Sequence, residues 1–111
     1  MQKELTIEAN NIKKSRYKEF VFSSYENIIH SIFEYNCVSK LKFEKEDESF
    51  RISFNMKISK EADLLWILIK DYLASIIETD DQVQLEITEI EQNGTTIVYR
   101  LYNHTPALNK N

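Results

Sequence analysis

The segment FRISFNMKI, residues 50–58, decides the fold more than any other stretch of this 111-residue chain. Apolar side chains occupy every second position without a break, namely Phe50, Ile52, Phe54, Met56 and Ile58. The polar side chains between them are Arg51, Ser53, Asn55 and Lys57. Successive side chains of a strand point to opposite faces, so this period of two predicts a strand with one buried and one polar face. Such a strand is typical of an antiparallel sheet covered on one side only.

Three more segments before this strand are predicted to be extended. Residues 38–58 are predicted to form a hairpin whose second arm is this strand and whose turn is the charged stretch KEDES at 45–49. Upstream, ELTIEA at 4–9 alternates apolar and polar residues in the same way. YKEFVF at 17–22 is rich in aromatic and β-branched residues, which favour strands. We therefore expect two strands ahead of the hairpin.

Two helices are predicted from capping signals and helical spacing. The pair Ser23 and Glu26 has the spacing of a capping box, which predicts a first helix that begins at Ser23 and ends near Asn36. Ser59 is predicted to cap a second helix, which runs to about Glu78. The apolar residues of both segments recur every three or four positions.

A final hairpin is predicted for residues 83–102, with its turn at Asn93 and Gly94. Gly94 is the only glycine in the chain, and an Asn-Gly pair favours a type I′ turn, in which both residues have positive φ. The resulting order is strand, strand, helix, hairpin, helix, hairpin. It predicts an α+β fold: an antiparallel sheet with two helices on one face, ferredoxin-like (split βαβ), with an extra N-terminal strand and a C-terminal hairpin.

Composition predicts a single cytoplasmic domain. We expect it to span residues 1–103, with the N-terminal strand and connector in 1–16 and a flexible tail at 104–111. The single cysteine fits a reducing compartment. The longest apolar run, Leu64–Ile69, is too short to cross a membrane. A single glycine cannot build a phosphate-binding loop, so no cofactor is expected. The many Lys, Asn, Ile and Glu residues suggest a bacterial or phage source.

The second predicted helix carries more apolar surface than a sheet alone should cover. In DLLWILIKDYLASII, residues 63–77, the apolar arc spans about 220° around the helix axis, whereas a surface helix needs little over ~100°. Trp66, Leu73 and Ile77 lie on the flank of this arc. The first helix or the N-terminal extension could cover them, or a second copy of the chain could. We expect a protein interface at these three residues and a homodimer.

The favoured interpretation is accordingly a small non-catalytic protein-binding module, regulatory or inhibitory, that self-associates through the second helix. The alternative is a small metal-assisted or acid/base enzyme. Glu26, His30 and Glu34 step by four along the first helix, so they share a stripe on which two carboxylates and an imidazole could act together. No substrate can be named from the sequence.

A nucleic-acid binder is the third interpretation. It depends on the basic segment that contains Lys13, Lys14, Arg16 and Lys18. An RNA-recognition module needs aromatic residues on the open face of its sheet. Here Phe50 and Phe54 share the predicted core face, so nucleic acid is not the expected partner.

Overall fold

The structure, a computed structural model, describes residues 2–79 and 82–101. Helix α1 spans Lys18–Phe33 and helix α2 spans Lys60–Thr79. The five strands are β1 Gln2–Asn10, β2 Val38–Lys45, β3 Phe50–Lys57, β4 Gln84–Ile90 and β5 Thr96–Leu101. A short 3-10 helix, Ile12–Lys14, joins β1 to the turn before α1.

The strands form one antiparallel sheet in the order β2-β3-β1-β4-β5. Strand β1 is central, and its Ile7 lies opposite Ile52 of β3 and Ile87 of β4. These three side chains are buried in the core on the side where α1 and α2 pack. The run β1-α1-β2-β3-α2-β4 is the split βαβ arrangement, and β5 extends it at one edge. The predicted α+β, ferredoxin-like class is confirmed.

The strand predicted at 17–22 is wrong, because α1 begins at Lys18. The buried residues of α1 recur every three or four positions, as Val21, Phe22, Ser24, Tyr25, Ile28, Ser31 and Ile32. Burial of this continuous stripe overrides the strand preference of the aromatic and β-branched residues. Ser23 is therefore an exposed residue inside the helix and not its N-cap. The first strand of the motif is β1.

Helix α2 begins as predicted, but its apolar flank is covered from within the chain. The Ala62 amide donates to the Ser59 hydroxyl at 3.1 Å, which confirms the cap. Leu73 is fully buried and Ile77 is 6% exposed. The two helices contact each other and share one hydrophobic core with the sheet, so the rest of the chain covers most of the apolar arc of α2. Leu73 and Ile77 thus cannot form the expected interface, and Trp66 is half-buried against the core.

The last hairpin forms with a different turn. Gly94 has φ +87°, but Asn93 is not among the described residues with positive φ, so the type I′ prediction is wrong. The Glu91 amide bonds to the Thr95 carbonyl and the Gly94 amide to the Glu91 carbonyl, both at 2.9 Å. This is the pattern of a three-residue loop that ends in a bulge at glycine.

The domain limits at 1–103 stay a prediction. The predicted tail at 104–111, with His104, lies outside the described residues. Within residues 2–79 and 82–101, no helix combines the length and hydropathy that crossing a bilayer requires.

Candidate functional site

A groove of about 410 Å³ lies between α1 and the edge strand β2. Its walls are formed by Tyr25, Glu26, Ile29, His30, Phe43 and Lys45. Residues 25, 26, 29 and 30 line one side of α1, because positions three and four apart share a helix face. Phe43 and Lys45 lie two apart on β2 and so share the face of the sheet that meets α1. The groove therefore combines an apolar floor with a few polar groups, which is the usual composition of a ligand site.

Tyr25 is a buried residue whose hydroxyl stays available. Its side chain is 4% exposed, and its ring lies 4.8 Å from the ring of Phe50, measured between centroids. The hydroxyl makes no hydrogen bond to another described residue, yet its oxygen is not sealed from solvent. Burial, and then the nearby charge of Glu26, raise the pKa of this phenol above its ordinary value. Near neutral pH the hydroxyl is therefore uncharged and can donate a hydrogen bond.

Lys45 places a positive charge at the strand side of the groove. Its Nζ lies 4.7 Å from the centroid of the Phe22 ring, within the range of a cation–π contact. It forms no ion pair with another residue in the described part of the chain. The ammonium is thus located by an aromatic ring and is still free to pair with an anion.

The structure brings two of the three predicted acid/base residues together. Glu26 and His30 are exposed and line the groove one helical turn apart. Glu34 caps the C-terminal end of α1 and is not part of the groove lining. No group of three or more His, Cys, Asp or Glu side chains within 2–79 and 82–101 is arranged to hold a metal ion. The geometry therefore supports the acid/base half of the alternative.

Other polar groups in the described regions are paired or lie in hydrated surface. Glu89 is 7% exposed and accepts from Lys3 Nζ and from the Tyr99 hydroxyl, each at 3.0 Å. Cys37 is buried, and burial raises the pKa of its thiol, so it is a poor nucleophile. A larger depression of about 690 Å³ adjoins the turn between β2 and β3, but charged and amide side chains line it and it lacks an apolar floor.

The basic segment is spread over three local structures. Lys13 lies in the 3-10 helix and pairs with Glu48 at 3.4 Å, Arg16 is in a turn, and Lys18 begins α1. Lys14 also lies in the 3-10 helix. Nucleic-acid binding by these residues stays a prediction.

The sequence contains a signal for each of two groove residues that the sequence analysis did not predict, Tyr25 and Lys45. Tyr25 belongs to the apolar stripe of α1, where a hydroxyl must either find a partner or face a cavity. On β2 the alternation of Leu41 and Phe43 continues to Lys45, where a lysine replaces a third apolar residue. Both signals became informative only when α1 was seen beside β2.

No protein-family model and no curated protein matches the chain. Its fold is similar to that of several solved structures. One is a variant of SnoaB, a cofactor-independent oxygenase from Streptomyces nogalater, with a TM-score of 0.58 and 8% identity over 85% of this chain and 95% of that one.

Two further structures are similar in the same sense. A conserved protein from Bacteroides thetaiotaomicron, described as a possible oxidoreductase, has a TM-score of 0.56 and 7% identity over 90% of this chain and 97% of that one. A phage SAM lyase in complex with S-methyl-5'-thioadenosine has a TM-score of 0.54 and 8% identity over 95% and 92% of the two chains. These likenesses establish the fold.

These findings correct the interpretation of the chain as a non-catalytic module that self-associates through α2. That interpretation needed Leu73 and Ile77 at the surface, and both are buried inside the chain. The fold is also shared with proteins described as an oxygenase and a lyase. The interpretation is wrong, and the enzymatic alternative agrees better with the structure.

Proposed function

We propose that this protein is a small acid–base enzyme that removes a proton from a carbon acid bound in the groove between α1 and β2. The observation that carries the proposal is the set of groups that meet there. Glu26 and His30 are possible bases, whereas the Tyr25 hydroxyl and the Lys45 ammonium can stabilise negative charge. The similarity in fold to a cofactor-independent oxygenase and to a lyase supports an enzyme on this scaffold.

The reaction follows from the positions of these groups. A base on α1, which we assign to the His30 imidazole, takes a proton from a carbon next to a carbonyl group. The electron pair of the broken C–H bond moves onto the carbonyl oxygen, which becomes an enolate. Tyr25 donates a hydrogen bond to that oxygen, and Lys45 lies on the same side to balance its charge. Return of the proton, to the same carbon or another, completes an exchange or an isomerisation.

Glu26 has a supporting role in this scheme. It lies four residues before His30 and lines the same side of the groove, so its carboxylate can accept a hydrogen bond from the bound molecule. Neither side chain forms a hydrogen bond to another residue of the described regions, so both are available to a bound molecule.

The test uses indanone, a flat carbon acid, dissolved in deuterium oxide with the purified protein. Proton NMR follows the loss of the signal from the carbon next to the carbonyl group. We expect exchange faster than in buffer alone, and His30→Gln should slow the catalysed part by about a hundredfold or more. Glu34→Gln is the matched control, because Glu34 is the C-cap of the same helix and lies outside the groove.

Circular dichroism on each variant establishes that it is folded. If wild type and His30→Gln exchange the indanone proton at the same rate, His30 is not the base. If neither exceeds buffer, the proposed proton transfer is wrong.

A further inference from the structure

The groove between α1 and β2 separates its polar groups onto two sides. Glu26 and His30 are on the helix side, where both are exposed. Lys45 is on the strand side, next to Phe50 of β3, with which it pairs in the β2–β3 register. The two possible bases and the Lys45 ammonium thus face a bound molecule from opposite walls.

The Tyr25 ring reaches from the helix to the strand side. It lies against Phe50, at 4.8 Å between centroids, and Phe50 is the register partner of Lys45. Lys45 in turn lies 4.7 Å over the ring of Phe22, one turn before Tyr25 on α1. Tyr25 and Lys45 therefore lie at the same end of the groove, next to Phe50.

The Tyr25 hydroxyl and the Lys45 ammonium are both donors without a protein acceptor. Tyr25 has no hydrogen-bond partner and Lys45 no ion pair among the described residues. Lys3 pairs with Glu89 and Arg51 with Glu8, so these two cations are already neutralised within the chain. The Tyr25 hydroxyl is accessible to solvent, so a ligand that displaces water from it must replace that hydrogen bond, and an oxygen atom with negative charge fits this end.

The remaining surface favours a flat apolar body. Phe43 is 50% exposed, and Ile29 faces it from the helix. A volume of about 410 Å³ is within the range of small-molecule sites and fits a compound of two fused rings. An aromatic face also favours stacked or edge-on contact with another ring.

We propose that the groove binds flat, largely apolar ring compounds that carry a carboxylate or enolate oxygen. The oxygen lies between Tyr25 and Lys45, and the ring lies on Phe43. The inference rests on the proposed function, for which it names the class of substrate. A free carboxylate on such a ring mimics the charge that the enolate develops.

Calorimetric titration with naphthoate, and with naphthamide as the neutral control of the same shape, tests this inference. We expect naphthoate to bind wild type at least about tenfold more tightly than naphthamide. Tyr25→Phe should weaken naphthoate binding by about tenfold, and Lys45→Met by about two- to fivefold, since that ammonium is exposed. Naphthamide binding should change little in either variant.

The matched control is Lys42→Met. Lys42 is on the same strand, three residues before Lys45, and it pairs with Ser53 on the opposite face of the sheet. This variant removes the same charge outside the groove and should bind naphthoate as wild type does. Equal affinity for naphthoate and naphthamide, or equal weakening by Lys42→Met and Lys45→Met, overturns the inference.

The titration contains no reaction, so its failure can be told from a failure of the proposed function. Selective naphthoate binding without indanone exchange would support the ligand class and contradict the proposed enzymatic function. Indanone exchange without naphthoate binding would support the enzymatic function and contradict the ligand class. If naphthoate does not bind and light scattering shows a dimer that Phe43→Ser dissociates, the groove is occupied by a second copy and the inference is wrong.

Discussion

Glu89 shows how a single charged residue is accommodated inside this fold. It lies on β4 among positions that face the helices, and only 7% of it is exposed. A buried carboxylate is tolerated when it is paired and hydrogen-bonded. Lys3 supplies the opposite charge at 3.0 Å, and the Tyr99 hydroxyl donates a second bond at 3.0 Å from β5. The cluster thus connects β1, β4 and β5 at the level of side chains.

This contact predicts a loss of stability at alkaline pH. The hydrogen bond to Glu89 raises the pKa of the Tyr99 phenol above its ordinary value near 10 in the folded chain. The stabilisation is complete below pH about 10 and is lost as the pH rises through the higher folded pKa. Between pH ~9 and ~11 the urea midpoint of wild type should therefore fall more steeply than that of Tyr99→Phe.

Tyr25→Phe serves as the control for this measurement, because the pKa of Tyr25 is raised as well, by burial first. The double variant Tyr25→Phe, Tyr99→Phe separates the two contributions. Identical slopes for wild type and Tyr99→Phe would show that the Tyr99 contact does not form in solution.

Helix α1 shows how one element can carry conflicting local signals. Tyr17, Phe20, Val21 and Phe22 are residue types that favour strands, yet α1 begins at Lys18. Ser24 and Ser31 stay compatible with the helix because each hydroxyl donates to the carbonyl oxygen four residues earlier, at 3.0 and 2.9 Å. The stripe of buried residues therefore decides the structure of the segment.

Two serine variants distinguish the observed helix start from the predicted one. Ser23 is exposed inside α1, so Ser23→Ala should raise the free energy of unfolding by a few tenths of a kcal/mol, ~0.5 at most. If Ser23 were an N-cap, the same change would lower it by about 1 kcal/mol. Ser59→Ala is the matched control and should lower it by about 1 kcal/mol, because Ser59 caps α2. Urea denaturation of both variants measures the difference.

At the scale of the whole molecule, the wide apolar arc of α2 is explained by where the helix lies. The helix shares one core with the sheet and also contacts α1. The outward side still carries Leu64, which is 62% exposed, and Ile67, which is 54% exposed. The number of apolar residues around a helix indicates how much of its surface must be covered. It does not show which neighbour covers that surface.

Leu73→Ala tests the position of α2 in the assembled domain. Leu73 is fully buried, so this change should lower the free energy of unfolding by about 2–5 kcal/mol. Leu64→Ala removes the same atoms from an exposed site of the same helix and should change it by less than about 0.5 kcal/mol. Thermal and urea unfolding give both values. Equal effects of the two changes would contradict the packing described.

Local pattern was sufficient for much of the fold. Strict alternation located β1 and β3, and the hydroxyl of Ser59 located the start of α2, because these signals act between residues a few positions apart. The class of fold followed from the order of the elements. Residues 17–22 were misassigned because strand preference is weaker than the burial that the neighbouring elements impose.

The groove, and the burial of the apolar flank of α2, depend on contacts between residues that are distant in the sequence. Glu26 and His30 are one turn apart and could be paired from their spacing. Lys45 is separated from Tyr25 by twenty positions, and no local pattern brings an edge strand beside a helix. Likewise, Leu73 is fully buried once α2 packs with the rest of the chain, which its place on the apolar arc did not show. Periodicity determines which face of an element is apolar, whereas only packing of the elements determines what that face meets.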